Sequence, residues 1–218
     1  MTAAVWTAVG LTLDLEPGTV AGVIVEGREW ALWRSPSGNA HVWEDRCPHR
    51  GMRLSFGFVR GDRLACLYHG WQYDGGGQCR YIPAHPELDV PATIRVSTQA
   101  VAESGGLIWA VLEGEPAPAP SFAAALPVRS LYVDAPLAVV WSALQETGLA
   151  NSPAPGVAEA RIVESLGDLL LVGGQVVTAS SSALHIALLD PGAASRRRDH
   201  AQWAERLRRA AEAQEAGR

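Results

Sequence analysis

One stretch, Cys47 to Trp71, constrains this chain more than any other. It reads C-P-H-R-G-M-R-L-S-F-G-F-V-R-G-D-R-L-A-C-L-Y-H-G-W. Two pairs of metal-ligating side chains lie inside it, Cys47 with His49 and Cys66 with His69, each a thiol and an imidazole on a short loop. Sixteen residues separate His49 from Cys66, enough for a strand hairpin that folds one loop back over the other. Four ligands of this kind suit either a tetrahedral zinc ion or a two-iron cluster with mixed ligation. Zinc fingers of the same composition group Cys with Cys and His with His. Here the loops are C-x-H and C-x-x-H. Each can therefore reach both irons of a cluster that takes two thiolates on one iron and two imidazoles on the other. Gly51 and Gly70 stand where backbone has to approach a buried cluster closely.

At Cys47-Pro48-His49-Arg50-Gly51 and Cys66-Leu67-Tyr68-His69-Gly70-Trp71 the sequence resembles the Rieske family. Tyr73-Asp74, Gly77-Gln78-Cys79, Ile82-Pro83-Ala84 and Ser104 to Trp109 extend the resemblance to the Rieske domain of bacterial Rieske non-haem iron oxygenases, over roughly the first half of the chain. High-potential respiratory members carry an extra cysteine in each loop and a serine after the second loop's glycine. Here those places hold Met52, Tyr68 and Trp71. The resemblance implies a Rieske-type [2Fe–2S] cluster held by Cys47, His49, Cys66 and His69. With Trp71 in place of a hydroxyl donor, it also implies a midpoint near the low end of the Rieske range, roughly −150 mV. Cys79 is left over and is expected to serve packing.

The surrounding chain reads as α+β. Short strands broken by turns run from Ala21 to Glu113, among them a hairpin across Glu26-Gly27-Arg28 and a strand at Ile94–Val96, as an all-β sandwich or barrel would require. The two ligand loops are expected to meet at one end of it. Pro-Ala repetition from Gly114 onward reads as a stiff linker. The expected division is a Rieske domain over 1–113, a linker over 114–128 and a small α+β domain over 129–218. In that last part, strands are expected at 130–133, 160–164, 169–177 and 183–189. A helix is expected from Pro136 to Thr147, burying Leu137, Trp141 and Leu144. A terminal helix capped by Ser195 would bury Trp203, Leu207 and Ala211.

That C-terminal part resembles a reduced remnant of an oxygenase catalytic domain. A Rieske oxygenase holds a second, mononuclear iron there on two His and a carboxylate. Within Trp141–Pro153 the positions of the two His fall on Gly148 and Pro153, and that of the linking Asp on Gln145. His41, His85, His185 and His200 show no local ligand spacing, and His185 reads as a core imidazole. The expectation is a one-electron carrier or auxiliary subunit of an oxygenase system, with a reductase or oxygenase subunit as redox partner, in a homo- or hetero-oligomer. The alternatives are an oxygenase with a shared or unrecognised iron site, and an interaction subunit whose cluster is structural. Net charge is −5, so nucleic acid is not an expected partner. The N-terminus lacks a signal peptide pattern, and no apolar run approaches the ~20 residues of a membrane span. A soluble, cytoplasmic protein is expected. The Arg196–Arg198 run and Arg206, Arg208 and Arg209 read as a solvated face, or as a docking patch for an acidic partner.

Overall fold

The computed structural model describes residues 5–114, 118–154, 157 and 159–217. In chain order the elements are strands β1 (Trp6–Leu11), β2 (Val20–Val25), β3 (Arg28–Arg34), β4 (Ala40–Glu44), β5 (Phe58–Val59), β6 (Arg63–Ala65), β7 (Gln72–Asp74), β8 (Cys79–Tyr81), β9 (Ala100–Ser104), β10 (Leu107–Val111) and β11 (Leu126–Val133). Helix α1 (Leu137–Glu146) follows, then β12 (Asn151–Pro153), β13 (Ala160–Ser165), β14 (Asp168–Thr178), β15 (Ser181–Leu188) and helix α2 (Arg197–Ala216). Both helices and most expected strands are present. Among the described residues no helix is long and apolar enough to cross a membrane.

The chain divides into two compact units. One comprises Leu15–Ile24 and Arg28–Val101. The other gathers the residues up to Asp14, Val25–Gly27, and Ala102 onward. This differs from a boundary at residue 113, because β1 and β10 belong to the second unit. The reason is visible in two adjacent glycines of β14. A Cβ on Gly173 would lie 2.7 Å from both Ala8 and Leu107, whereas one on Gly174 would lie 2.6 Å from Trp141 and 2.8 Å from Leu137. Neighbouring residues of a strand face opposite ways. The β1–β10 pair therefore packs against one face of the sheet and α1 against the other, each through a glycine. Of the expected linker, 115–117 lie outside the described residues, and β11 begins at Leu126 rather than near 130.

In the first unit, β2-β3-β4 and β5-β6-β7-β8 form two antiparallel sheets. The β2–β3 turn uses left-handed Glu26 and Gly27, at φ 51° and 75°, which suits the twist of a tight hairpin. Trp33, Trp43, Leu54, Leu64 and Tyr73 fill the core with Cys47, Cys66 and Cys79. Ile94–Val96 does not form the expected strand. A single bridge, Gln78 to Arg95, holds it, supported by Cys79 N–H to Ile94 O at 2.9 Å and Val96 N–H to Gly77 O at 2.8 Å.

In the second unit a five-stranded antiparallel sheet, β11-β15-β14-β13-β12, carries α1 and α2. Leu137, Val140, Trp141 and Leu144 of α1 meet Trp203, Leu207 and Ala211 of α2 in one core. Ser195 does not cap α2. A short 3₁₀ turn, Pro191–Arg196, precedes the helix, and Asp190 caps that turn by accepting the Gly192 N–H. Buried His200 of α2 instead meets Asp168 Oδ2 at 2.7 Å, and Arg196 pairs with the other oxygen. His185 is a core imidazole, as expected. It lies 2.9 Å from Ser130 Oγ and 2.7 Å from Gln175 Oε1, and burial alone lowers its pKa to about 4.

Candidate metal centre

Two loops of the first unit present the four candidate ligands, and they are built alike. After β4, Cys47 N–H donates to Met52 O at 2.8 Å, and Gly51 N–H donates back to Cys47 O at 2.8 Å. After β6, Cys66 N–H donates to Trp71 O at 2.9 Å, and Gly70 N–H donates to Cys66 O at 2.9 Å. Each loop closes on a left-handed glycine, Gly51 at φ 71° and Gly70 at φ 69°, a conformation other residues adopt only under strain. The β6–β7 hairpin sets Ala65 opposite Gln72 and so fixes both ends of the second loop. Gly57 lets the connecting segment pass close to it, since a Cβ there would sit 2.2 Å from Ala65 O.

The two thiols point inward. Cys47 and Cys66 are buried and lie within hydrogen-bonding reach of each other. Burial pushes the Cys66 thiol up and its neighbour Cys47 adds to that, while the backbone N–H groups of Tyr68 and His69 donate to its sulfur and pull the other way. The two imidazoles lie side by side at the outer end, with ring centres 4.5 Å apart. Trp71 stacks flat on His49 at 4.2 Å and 5°, and Tyr68 leans on His69 at 3.8 Å. Desolvation, then His69 and Arg50, lower the His49 pKa, which favours the neutral form that binds metal. His49 Nδ1 is buried and has no hydrogen-bond partner among the described residues. A buried polar atom left without a partner costs free energy, and a metal bond would satisfy this one.

These residues fit a two-iron cluster. Two adjacent thiols would serve one iron, and two adjacent imidazoles, one with an orphaned nitrogen, would serve the other.

Tyr73 escaped the sequence reasoning. Its hydroxyl lies 3.1 Å from Cys47 Sγ, and its side chain is fully buried, edge-on to Trp43 at 6.5 Å. Burial first, then the bond to Cys47, raise the phenol well above its usual pKa, so it stays an O–H donor. Trp71 still stands where a hydroxyl donor was noted as missing, and Tyr73 supplies a separate hydroxyl, to the Cys47 sulfur. The bond spans 26 residues, and the only local signal was a tyrosine on the strand leaving the second loop. Cys79 is buried beside this group, with Sγ 3.8 Å from Tyr81 O.

In the other unit, Gly148 closes the turn after α1 at φ 69°, Pro153 ends β12 and Gln145 is exposed. Glu146 accepts a hydrogen bond from Gln214 at 2.8 Å, and His185 already has its two partners.

Residues 5–96 match the Rieske [2Fe-2S] domain family. "Oxidoreductase NdmD" of Pseudomonas putida is 33% identical over 210 residues, which cover 86% of this chain and 36% of that protein. "4beta-methylsterol monooxygenase" of Methylococcus capsulatus is 44% identical over 116 residues, covering 51% of this chain and 31% of that protein. The chain thus spans about a third of the length of these curated relatives. Among solved structures, apo dicamba monooxygenase matches with a TM-score of 0.73 and 21% identity. The match covers 98% of this chain and 86% of the other, a likeness of fold.

Proposed function

We propose, on the match of residues 5–96 to the Rieske [2Fe-2S] domain family, that this chain passes single electrons within an oxygenase system and does not itself oxygenate a substrate. The carrying observation is the contrast between its halves. The first unit presents a full donor set, Cys47 and Cys66 for one iron and His49 and His69 for the other. In the second, the positions that the family resemblance gives to the mononuclear iron's histidines hold Gly148 and Pro153, which have no ligating atom.

When bound, the cluster supplies a site that accepts and returns one electron, at a higher potential than an all-cysteine cluster because neutral imidazoles replace two thiolates. The residues around it set the conditions. Tyr73 and the amides of Tyr68 and His69 donate to the ligand sulfurs, which favours the more negative state. Trp71 covers the flat side of His49 and keeps water from it. His69, Leu67 and Tyr68 are exposed, so a partner docking there reaches an imidazole edge directly.

The test uses the reconstituted chain. A chemical reductant should bleach the visible absorption, an added oxygenase component should restore it, and ferrous iron with a reductase and candidate substrates should give no product. Product formed in stoichiometric amount by the chain without a second oxygenase would overturn the proposal.

A further inference from the structure

The second unit carries a groove of about 380 Å³ between β11 and α2, lined by none of the four candidate ligands. Its lining is basic. Arg198, Arg206 and Arg209 line it from α2, with Gln202 and Glu205, and Arg129 lines it from β11. The helix positions fall at 198, 202, 205, 206 and 209, the three- and four-residue spacing that makes one face. Arg129 follows a register shift between Pro127 and Arg129 in the β11–β15 ladder. Arg197 donates to the Val128 carbonyl at that irregularity, at 3.5 Å, so the start of α2 is tied to the strand beside the groove.

The charges in the groove do not cancel. Glu205 is held by Arg208 at 2.5 Å and Arg209 at 3.1 Å, and those contacts, the one with Arg208 foremost, lower its pKa to about 2. Arg208 is matched further by Glu212 at 2.8 Å. Arg129, Arg198 and Arg206 have no ion-pair partner among the described residues. Three guanidinium groups facing one groove repel one another, and each presents a planar fork suited to a carboxylate. They do so on a chain whose net charge is −5, so the patch opposes the sign of the whole.

We propose that this groove docks an acidic segment of a partner protein. Size and shape favour that occupant over a small anion. From Arg198 to Arg209 the helix face runs about 16 Å, longer than one phosphate or citrate bridges, and the groove is open along its length. Nucleic acid is disfavoured by the composition of the lining, which has no aromatic side chain for stacking, and by the acidic balance of the chain. The inference rests on the groove alone and stands or falls separately from the electron-carrier proposal.

The probe is a fluorescein-labelled octaglutamate peptide, titrated with the full cluster-loaded chain and followed by anisotropy at low salt. A DNA duplex of similar charge serves as the competing probe. Saturable peptide binding that weakens with salt is expected. The triple variant Arg129→Gln, Arg198→Gln, Arg206→Gln should bind about tenfold more weakly, the sum expected of three partly exposed ion pairs. The control pair Arg60→Gln, Arg95→Gln in the other unit should leave binding unchanged. Retained cluster absorption and an unchanged helical circular dichroism signal show that both units of each variant are folded. Three results would each overturn the proposal: no saturable peptide binding, equal losses in triple variant and control, or tighter binding of DNA than of peptide.

Discussion

Replacing Tyr73 by Phe removes one oxygen atom and leaves the ring in place against Trp43. The lost interaction is the 3.1 Å contact from the phenol to Cys47 Sγ. Because the residue is fully buried, no water can take over that role. A hydrogen bond to a charged acceptor is worth about 1.5–3 kcal/mol. It is present in both redox states but stronger to the reduced cluster, which carries one more negative charge, so a differential of about 1–2 kcal/mol is reasonable. For one electron, 1.4 kcal/mol corresponds to 59 mV, so the midpoint should fall by roughly 40–85 mV. The assay is protein-film voltammetry at fixed pH on wild type and Tyr73→Phe, with cluster content matched by absorption. Wild type itself should then lie above the roughly −150 mV that the sequence suggested. An unchanged or higher midpoint in the variant would refute the argument that this hydroxyl favours the reduced state.

Other consequences follow from the same structure. Cys47→Ser and Cys66→Ser should each abolish the visible cluster absorption and disorder the paired loops, seen as lost amide-exchange protection at Gly51 and Gly70. Gly57→Ala should cost about 1–3 kcal/mol in urea unfolding, because its Cβ would meet the Ala65 carbonyl. The fold holds His185 neutral down to about pH 4, against the ordinary imidazole value of 6.5. Between those values the unfolded chain binds the extra proton. The contribution of this residue is complete above pH 6.5 and is lost as pH falls towards 4, about 3 kcal/mol in all. His185→Gln should flatten the fall in stability between pH 7 and 4, and an unchanged slope would show that the imidazole is not the group responsible.

The two loops that bring the candidate ligands together were legible in the sequence because each is local. Cys47 and His49, and Cys66 and His69, each lie within one turn, and the left-handed glycines that close those turns stand beside them. Helices α1 and α2 were legible from periodicity, since they bury the faces their spacing marks, and β11 and β13–β15 as apolar runs, whereas β1 and β12 were not expected. What sequence could not show depends on long-range approach. Strands β1 and β10 join the second unit because Gly173 lets Ala8 and Leu107 come close, and nothing near residue 8 announces a glycine at 173. Tyr73 reaches Cys47 across the fold in the same way. The start of α2 was misassigned to Ser195 because Asp190, five residues earlier, caps the 3₁₀ turn that precedes the helix.

The central claim is that the chain holds one two-iron cluster and passes one electron, with no second iron site. An anaerobic reductive titration of chain loaded with excess ferrous iron and then desalted, combined with iron and sulfide analysis, tests this most directly. Two irons, two labile sulfides and one electron taken up per chain are predicted. A third iron that survives desalting, or zinc with no electron uptake, would contradict it.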